Sequence, residues 1–238
     1  MPDYGTVLDL TRSYLRQQAE LFGSRIYLKE AVEYLAEEEA DLHNLDQFFS
    51  QIKDCTKCKL SKSRTKFVFG VGSPNAKLIC VGEGPGYDED QQGEPFVGPA
   101  GKLLTKILNA IGFDRSEVYI ANVVKCRPPG NREPEPEEIA ECLPYVRRQI
   151  EMIAPAFILA LGRVASQNLL GVHTAVGKLR GTVHRLGNVD VIVTYHPAAL
   201  LRNPELKRST WEDVQQLRRL YDEKVGDKVP MDFDRNKA

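Results

Sequence analysis

Four apolar runs rich in β-branched residues recur along this chain, with helical stretches between most of them. They are residues 78–81, 118–124, 157–161 and 189–194. This alternation predicts strands joined by helical crossovers and therefore a parallel sheet. We expect an α/β fold, a three-layer α/β/α sandwich around a four-stranded parallel sheet. In open sheets of this kind, ligands bind beyond the carboxyl ends of the strands.

The first run leads into a glycine-rich turn and an acidic loop. Glu83 and Gly84 lie in the turn, Glu89 and Asp90 lie in the loop, and Phe96 follows. Such a turn leaves backbone N–H groups free to face a ligand, and an exposed phenylalanine ring can stack on a planar ring. Each feature alone is common in proteins without an active site, so the other strand ends decide between the two interpretations.

Polar residues also mark the ends of the second and fourth runs. Asn122 carries both a donor and an acceptor, which is the combination needed to read the edge of a nucleobase. His196 can donate a hydrogen bond or carry a positive charge near neutral pH. Asparagine often caps turns and histidine often lies in a core, but their shared position at strand ends favours a functional site.

Cysteine spacing provides a separate signal. Cys55 and Cys58 form a C-x-x-C pair, Cys126 and Cys142 follow downstream, and Cys80 lies within the first apolar run. Two closely spaced thiols and two distant ones can close a tetrahedral sulfur site for zinc or for an iron–sulfur cluster. Spacing does not choose between these metals. Disulfides and ordinary buried thiols are the alternatives. Disulfides are disfavoured because we recognise no secretory signal peptide in the sequence.

Four long motifs carry a resemblance to a known family over roughly residues 45–221. They read GEGPGYDEDQQGEPFVGPAGKLL, VYIANVVKCRPPGNREPEPEEIAEC, ALGRVA and TYHPAALLRNP. In this combination the chain resembles a family 4 uracil-DNA glycosylase, the bacterial and archaeal iron–sulfur branch of the uracil-DNA glycosylase superfamily. The resemblance implies a monofunctional glycosylase that flips uracil out of DNA and hydrolyses its N-glycosidic bond. The product is an abasic site for base excision repair.

The resemblance also implies roles for individual residues. Glu83 and Gly84 belong to the loop that contacts the base, Phe96 stacks on the uracil ring, and Asn122 reads its polar edge. His196 binds uracil O2 as negative charge develops there.

Two acidic residues and the cysteines complete the implied site. Glu89 is expected to position the attacking water, with Asp90 as a structural neighbour or competitor. Four cysteines match those that hold a structural 4Fe-4S cluster in the family, namely Cys55, Cys58, Cys126 and Cys142.

DNA binding needs an apolar wedge and cationic groups. Leu200 or Leu201 could fill the base stack that uracil vacates, although either could instead pack inward. The formal net charge is −1, but residues 1–50 hold four basic and ten acidic residues, so the rest of the chain is basic. We expect four side chains to contact DNA phosphates, namely Lys57, Lys59, Arg64 and Arg202.

The ends of the chain differ from the core. We expect residues 1–44 to form an acidic helical N-terminal extension, which is a possible contact for a protein partner. Residues 45–224 are expected to form the glycosylase domain, and residues 225–238 a polar tail. A capping box at Ser209-x-x-Glu212 predicts a last helix that covers the sheet with Val214 and Leu217. We expect a cytoplasmic monomer without a membrane segment, acting on double- and single-stranded uracil-containing DNA.

Two other functions deserve comparison. A uracil-DNA-binding or polymerase-accessory protein could keep the pocket with little turnover, but Glu89, Asn122 and His196 are all present, which favours catalysis. A nucleotide-binding Rossmann enzyme is disfavoured because the GxGxxG spacing and the later ribose-binding acid are missing.

Overall fold

A computed structural model describes residues 44–233. The predicted helices of the N-terminal extension and the last five residues of the predicted tail lie outside this range. The chain divides into two units, residues 1–48 and 49–238, and only residues 44–48 of the first are described.

The described part of the chain contains one six-stranded sheet, with the strand order β1-β3-β2-β4-β6-β5. The strands are β1 (Val71–Gly72), β2 (Leu78–Gly82), β3 (Tyr119–Asn122), β4 (Phe157–Leu161), β5 (Val183–Leu186) and β6 (Val189–Thr194). The four central strands are parallel to one another and coincide with the four apolar runs. The predicted parallel sheet is therefore confirmed, but it carries two additional antiparallel strands at its edges.

Eight α-helices accompany these strands in residues 44–233. They are α1 (Leu45–Ile52), α2 (Tyr87–Gln92), α3 (Pro99–Ala110), α4 (Pro136–Ile153), α5 (Gly162–Leu170), α6 (Val176–Leu179), α7 (Pro197–Arg202) and α8 (Leu206–Lys224). Two short 3₁₀ turns, Lys59–Lys62 and Pro129–Asn131, lie in the connecting segments.

The two edge strands escaped the sequence analysis for different reasons. β1 has only two residues, too few for a periodic pattern. β5 alternates between exposed and half-buried residues and joins β6 through the two-residue turn Gly187-Asn188, with φ of 58° at Gly187. A glycine-asparagine pair between two short runs is a hairpin signal, so this strand was readable from the sequence.

Helices α3 and α8 cover one face of the sheet. Leu104 and Leu108 of α3 join Val214 and Leu217 of α8 in one buried cluster with side chains of the central strands. The predicted covering helix is thus confirmed, but its predicted start is wrong. It begins at Leu206, because the Asn203 side chain and backbone already accept hydrogen bonds from the backbone N–H groups of residues 205 and 206.

The register of the parallel strands determines where the polar strand ends meet. Gly82 at the end of β2 lies opposite Asn122 at the end of β3, and Leu161 of β4 lies opposite Thr194 of β6. The residues that follow these four positions therefore share one edge of the sheet. None of the helices described above is long and apolar enough to cross a bilayer.

Candidate active site and cysteine site

A cavity of about 370 Å³ opens at the carboxyl edge of the parallel strands. Its walls include six of the predicted base-contacting or catalytic residues, which are Glu83, Gly84, Glu89, Phe96, Asn122 and His196. Arg202, a predicted phosphate contact, also lines it. The structure therefore brings together residues that are more than a hundred positions apart in the chain.

Phe96 forms one wall of the cavity in an unusual backbone conformation. Its φ is 54°, in the left-handed region that residues with a Cβ rarely adopt. The ring is 6% exposed, and its centroid lies 5.5 Å from that of the His196 ring, with 31° between the planes. The ring is thus presented as a fixed apolar surface beside the histidine.

Glu89 holds the two loops that frame this wall. Its Oε1 accepts hydrogen bonds from the backbone N–H groups of Val97 and Gly98, both at 2.9 Å. Its Oε2 accepts from the N–H of Gly86 at 3.1 Å. A carboxylate accepts about four hydrogen bonds, so three of these positions are taken by the backbone.

Asp90 does not line the cavity. Of its two expected roles, structural neighbour of Glu89 or competitor for the attacking water, the catalytic one is therefore wrong. The side chain is 1% exposed, and its Oδ1 accepts hydrogen bonds from the backbone N–H groups of Thr65 and Lys66. Because Asp90 follows Glu89 on helix α2, it points away from the face that Glu89 presents to the cavity.

The side-chain amide of Asn122 lies in the wall of the cavity, and one of its polar atoms has no hydrogen-bond partner within residues 44–233. The residue is 1% exposed, and its Oδ1 has no hydrogen-bond partner among the described residues. Gly82 explains why the amide and the phenylalanine ring can approach so closely. A Cβ at position 82 would lie 2.5 Å from both Asn122 Oδ1 and Phe96 Cζ.

His196 caps helix α7 through its ring. The N–H of Ala198 donates a hydrogen bond to Nδ1 at 3.1 Å, so Nδ1 is the acceptor and the proton of the neutral ring resides on Nε2. Burial and, second, the positive charge of Arg202 lower the pKa of His196 to about 4. The ring is therefore a neutral hydrogen-bond donor at physiological pH.

Glu83 and Gly84 form the rim between β2 and the cavity. Burial and, second, the negative charge of Glu133 raise the pKa of the Glu83 carboxyl, and Arg163 and Arg202 oppose this effect. At Gly84 a Cβ would lie 2.6 Å from Val124 Cγ2, so the loop backbone itself packs against the neighbouring segment.

The two candidate wedge residues differ in exposure. Leu200 is 1% exposed and packs inward, which removes it from consideration as a wedge. Leu201 is 49% exposed on the next position of α7.

The four predicted phosphate contacts differ in exposure and in the partners that they bind. Arg202 and Lys57 have exposed side chains, although the Lys57 ammonium lies over the Tyr145 ring. Lys59 forms an ion pair with Glu135. The prediction that Arg64 contacts phosphate is wrong. Its Nη1 donates hydrogen bonds to the Cys55 carbonyl at 2.7 Å and to Cys126 Sγ at 3.2 Å, so this guanidinium binds the cysteine site.

Four cysteines line one small second cavity, as the spacing predicted. They are Cys55, Cys58, Cys126 and Cys142, whereas Cys80 is buried within β2. Three groups donate hydrogen bonds to their sulfurs at 3.2 Å each: Arg64 to Cys126, the Lys125 backbone N–H to Cys142, and the Tyr145 hydroxyl to Cys55.

The chemistry of these thiols fits a metal centre. Burial raises the pKa of Cys142 to about 12 and also raises that of Cys126, so without a cation both would stay protonated. A bound metal would supply the charge that favours thiolates, and donors to sulfur are typical of iron–sulfur sites. Within residues 44–233, no three His, Cys, Asp or Glu side chains are arranged so that they could hold a single metal ion.

The sequence analysis missed part of the cavity wall. Pro128 and Asn131 line it beside Arg132, and Asn131 has a positive φ of 55°. The Pro-Pro-Gly-Asn run after β3 was the available signal, since such residues mark a turn at the same sheet edge.

Comparison with known proteins agrees with this geometry. Residues 69–216 match the model of the uracil DNA glycosylase superfamily. The chain is 45% identical to the type-4 uracil-DNA glycosylase of Archaeoglobus fulgidus over 81% of this chain and 99% of the relative. It is 47% identical to the Thermotoga maritima enzyme of the same name over 70% of this chain and 88% of the relative.

The fold and the cavity together therefore define a member of the uracil-DNA glycosylase superfamily, and the chain belongs to that family. Within the superfamily its curated relatives place it with the type-4 uracil-DNA glycosylases.

The Gly82→Ala substitution tests the packing of the cavity wall. The new methyl group would displace the Phe96 ring or the Asn122 amide, so we expect uracil release from DNA to fall at least about 10²-fold, as for loss of a well-placed group. Gly177→Ala is the control, because a Cβ there would meet only Tyr195 Oη at 3.5 Å. Single-turnover rates measure both, and equal rates for Gly82→Ala and wild type would contradict the close packing.

Proposed function

We propose that the cavity holds a uracil base extruded from DNA and hydrolyses its N-glycosidic bond, so that the protein acts as a monofunctional uracil-DNA glycosylase. One observation carries the proposal: the Phe96 ring, the Asn122 amide and the His196 ring line the same cavity. A flat apolar surface and an amide fit a pyrimidine ring whose polar edge presents N3–H and O4.

His196 supplies the charge stabilisation that the reaction needs. Breaking the bond between the sugar and N1 leaves an anionic base, with much of the charge on O2. The Nε2–H of a neutral histidine, already fixed by the Ala198 hydrogen bond at Nδ1, donates to that oxygen without reorganisation. A neutral donor binds the starting base only weakly but binds the developing anion well.

Glu89 positions the attacking water. Backbone N–H groups occupy three of the acceptor positions of its carboxylate, which fixes the side chain and leaves one for a water molecule. The sugar acquires oxocarbenium character, so a weak nucleophile held on the correct face is enough.

Contacts with DNA complete the proposal. Leu201 enters the base stack as the apolar wedge, since it is exposed on α7 directly beyond the cavity. Arg202 at the cavity and Lys57 beside the cysteine site contact backbone phosphates of double- or single-stranded DNA. Unpairing the base costs a few kcal/mol, and a U·G mismatch lowers that cost.

The four cysteines hold a structural 4Fe-4S cluster. It would join the segment before β1, through Cys55 and Cys58, to Cys126 after β3 and Cys142 in α4. The cluster when bound supplies rigidity rather than redox chemistry. Cys126 lies four residues beyond Asn122, so the cluster stabilises the segment that leaves the active site.

An oligonucleotide assay tests the function and separates it from binding without turnover. We expect a uracil-containing strand to break only after alkali, because hydrolysis leaves an abasic site and no lysine within residues 44–233 lines the cavity as a nucleophile. His196→Ala should slow release by about 10²–10³-fold, the usual loss for one charge-stabilising donor. Uncleaved DNA that stays bound to the wild-type protein would instead identify a binding protein.

The pH dependence of the rate tests the protonation state of His196. Its pKa of about 4 keeps the ring neutral through pH 5–8, so the single-turnover rate should show no transition near 6.5, the ordinary value. Because unfolded histidine binds a proton below 6.5, the contribution of His196 to stability falls as the pH drops from 6.5 toward 4. A rate that rises as the pH falls through 6.5 would mean that the imidazolium is the active form.

Spectroscopy tests the cluster. We expect purified protein to be brown, with broad absorption at about 400 nm that is lost in the Cys126→Ala variant. Cys80→Ala is the control, since Cys80 lies inside β2 and outside the cysteine cavity. Colourless protein that contains zinc would exclude the cluster and leave the alternative that the spacing allows.

A further inference from the structure

The conformation of Phe96 depends on two peptide planes. Rotation about N–Cα, the φ angle, sets the plane of the Pro95–Phe96 peptide, and rotation about Cα–C sets the plane of the Phe96–Val97 peptide. The observed φ of 54° is sterically unfavourable for phenylalanine. Both planes must therefore be held by contacts outside the residue itself.

Glu89 and helix α3 hold the second plane. The Val97 N–H donates to Glu89 Oε1 at 2.9 Å. The Phe96 carbonyl at the other end of the same plane abuts Gly101, where a Cβ would lie 1.9 Å from the oxygen. This peptide cannot rotate without losing a hydrogen bond or colliding with the helix.

Arg115 holds the first plane. It lies in the segment between α3 and β3, and its Nη2 donates to the Pro95 carbonyl at 2.6 Å. Its other terminal nitrogen, Nη1, is buried without a hydrogen-bond partner among residues 44–233. The Pro95 carbonyl is thus the one hydrogen-bond acceptor that this guanidinium has in the described part of the chain.

The surroundings of Arg115 favour a fixed position. The side chain is half-buried, and the negative charges of Glu94 and Glu89 both act on it. Glu89 is the same residue that holds the second plane. Arg115 and Glu89 therefore bind the two peptides that flank Phe96.

We propose that Arg115 is a positioning residue for uracil recognition: it fixes the Pro95–Phe96 peptide so that the Phe96 ring stacks on the base. The inference rests on the proposed function, because it needs uracil in the cavity. Without the guanidinium, the peptide rotates toward negative φ and the ring leaves the cavity wall. Arg115 does not touch the base itself.

Free uracil as an inhibitor provides the test. Arg115→Met keeps most of the side-chain length and removes the donors. We expect its inhibition constant for free uracil to rise about tenfold or more, in line with loss of base stacking on an aromatic ring. KM for uracil-containing DNA should rise more than kcat falls, because stacking holds the base before the bond breaks. Arg115→Lys keeps a donor for the carbonyl and should restore most of the affinity.

A double-variant comparison separates positioning from general structural damage. In a Phe96→Ala background, Arg115→Met should cause little further loss of uracil affinity, since the ring through which it acts is absent. Arg218→Met is the control for loss of an arginine that holds backbone: Arg218 is fully buried and donates to the carbonyls of Ile111 and Val229, both at 2.6 Å, neither of which belongs to the loop that carries Phe96. It should lower the melting temperature and leave the inhibition constant unchanged.

The outcomes are distinguishable. Unchanged uracil affinity in Arg115→Met, or an equal loss with and without Phe96, would overturn the role of Arg115. If Arg115→Met does not fold, the Arg115→Lys variant decides, because a loss of affinity there equal to that of Phe96→Ala contradicts rescue by a donor. If wild type neither releases nor binds uracil, the proposed function fails instead.

Discussion

The pairing of β2 with β3 is the constraint on which the site depends. It places Gly82 opposite Asn122 at the carboxyl edge of the sheet, and the absence of a side chain at Gly82 creates the space into which the Phe96 ring and the Asn122 amide converge. A shift of one residue in this register would turn Asn122 to the other face of the sheet. The convergence of the Phe96 ring and the Asn122 amide therefore depends on the pairing of two short buried strands.

The loop that carries Phe96 is held by charged side chains acting on the backbone. Glu89 accepts from three N–H groups, and Arg115 donates to the carbonyl of Pro95. Loops usually vary in conformation, but charge-assisted hydrogen bonds of this kind are strong enough to keep an unfavourable φ. The acidic segment, which the sequence indicates as a solvated loop, instead forms helix α2 and is part of the framework of the site.

Much of this arrangement could be predicted from sequence, and the exceptions have physical causes. The parallel strands were readable because buried strands are continuous apolar runs, and Asn122 and His196 were found because strand ends share an edge. The roles of Asp90, Arg64 and Leu200 were not predictable, because residue type alone does not show the direction in which a side chain points. Arg115 gave no signal, since a contact between side chain and carbonyl twenty residues apart leaves no sequence pattern.

The unpaired oxygen of Asn122 has a consequence for the choice among normal bases. In the proposed complex, a base edge that presents an N–H group would satisfy this acceptor, whereas a buried acceptor left without a donor costs about 1–3 kcal/mol. Uracil brings such a donor at N3, whereas cytosine presents a lone pair at the same ring position. In the proposed complex, and with the Asn122 amide in its present orientation, cytosine would set two acceptors against each other, and we infer that this abundant undamaged base is excluded by electrostatic repulsion rather than by size.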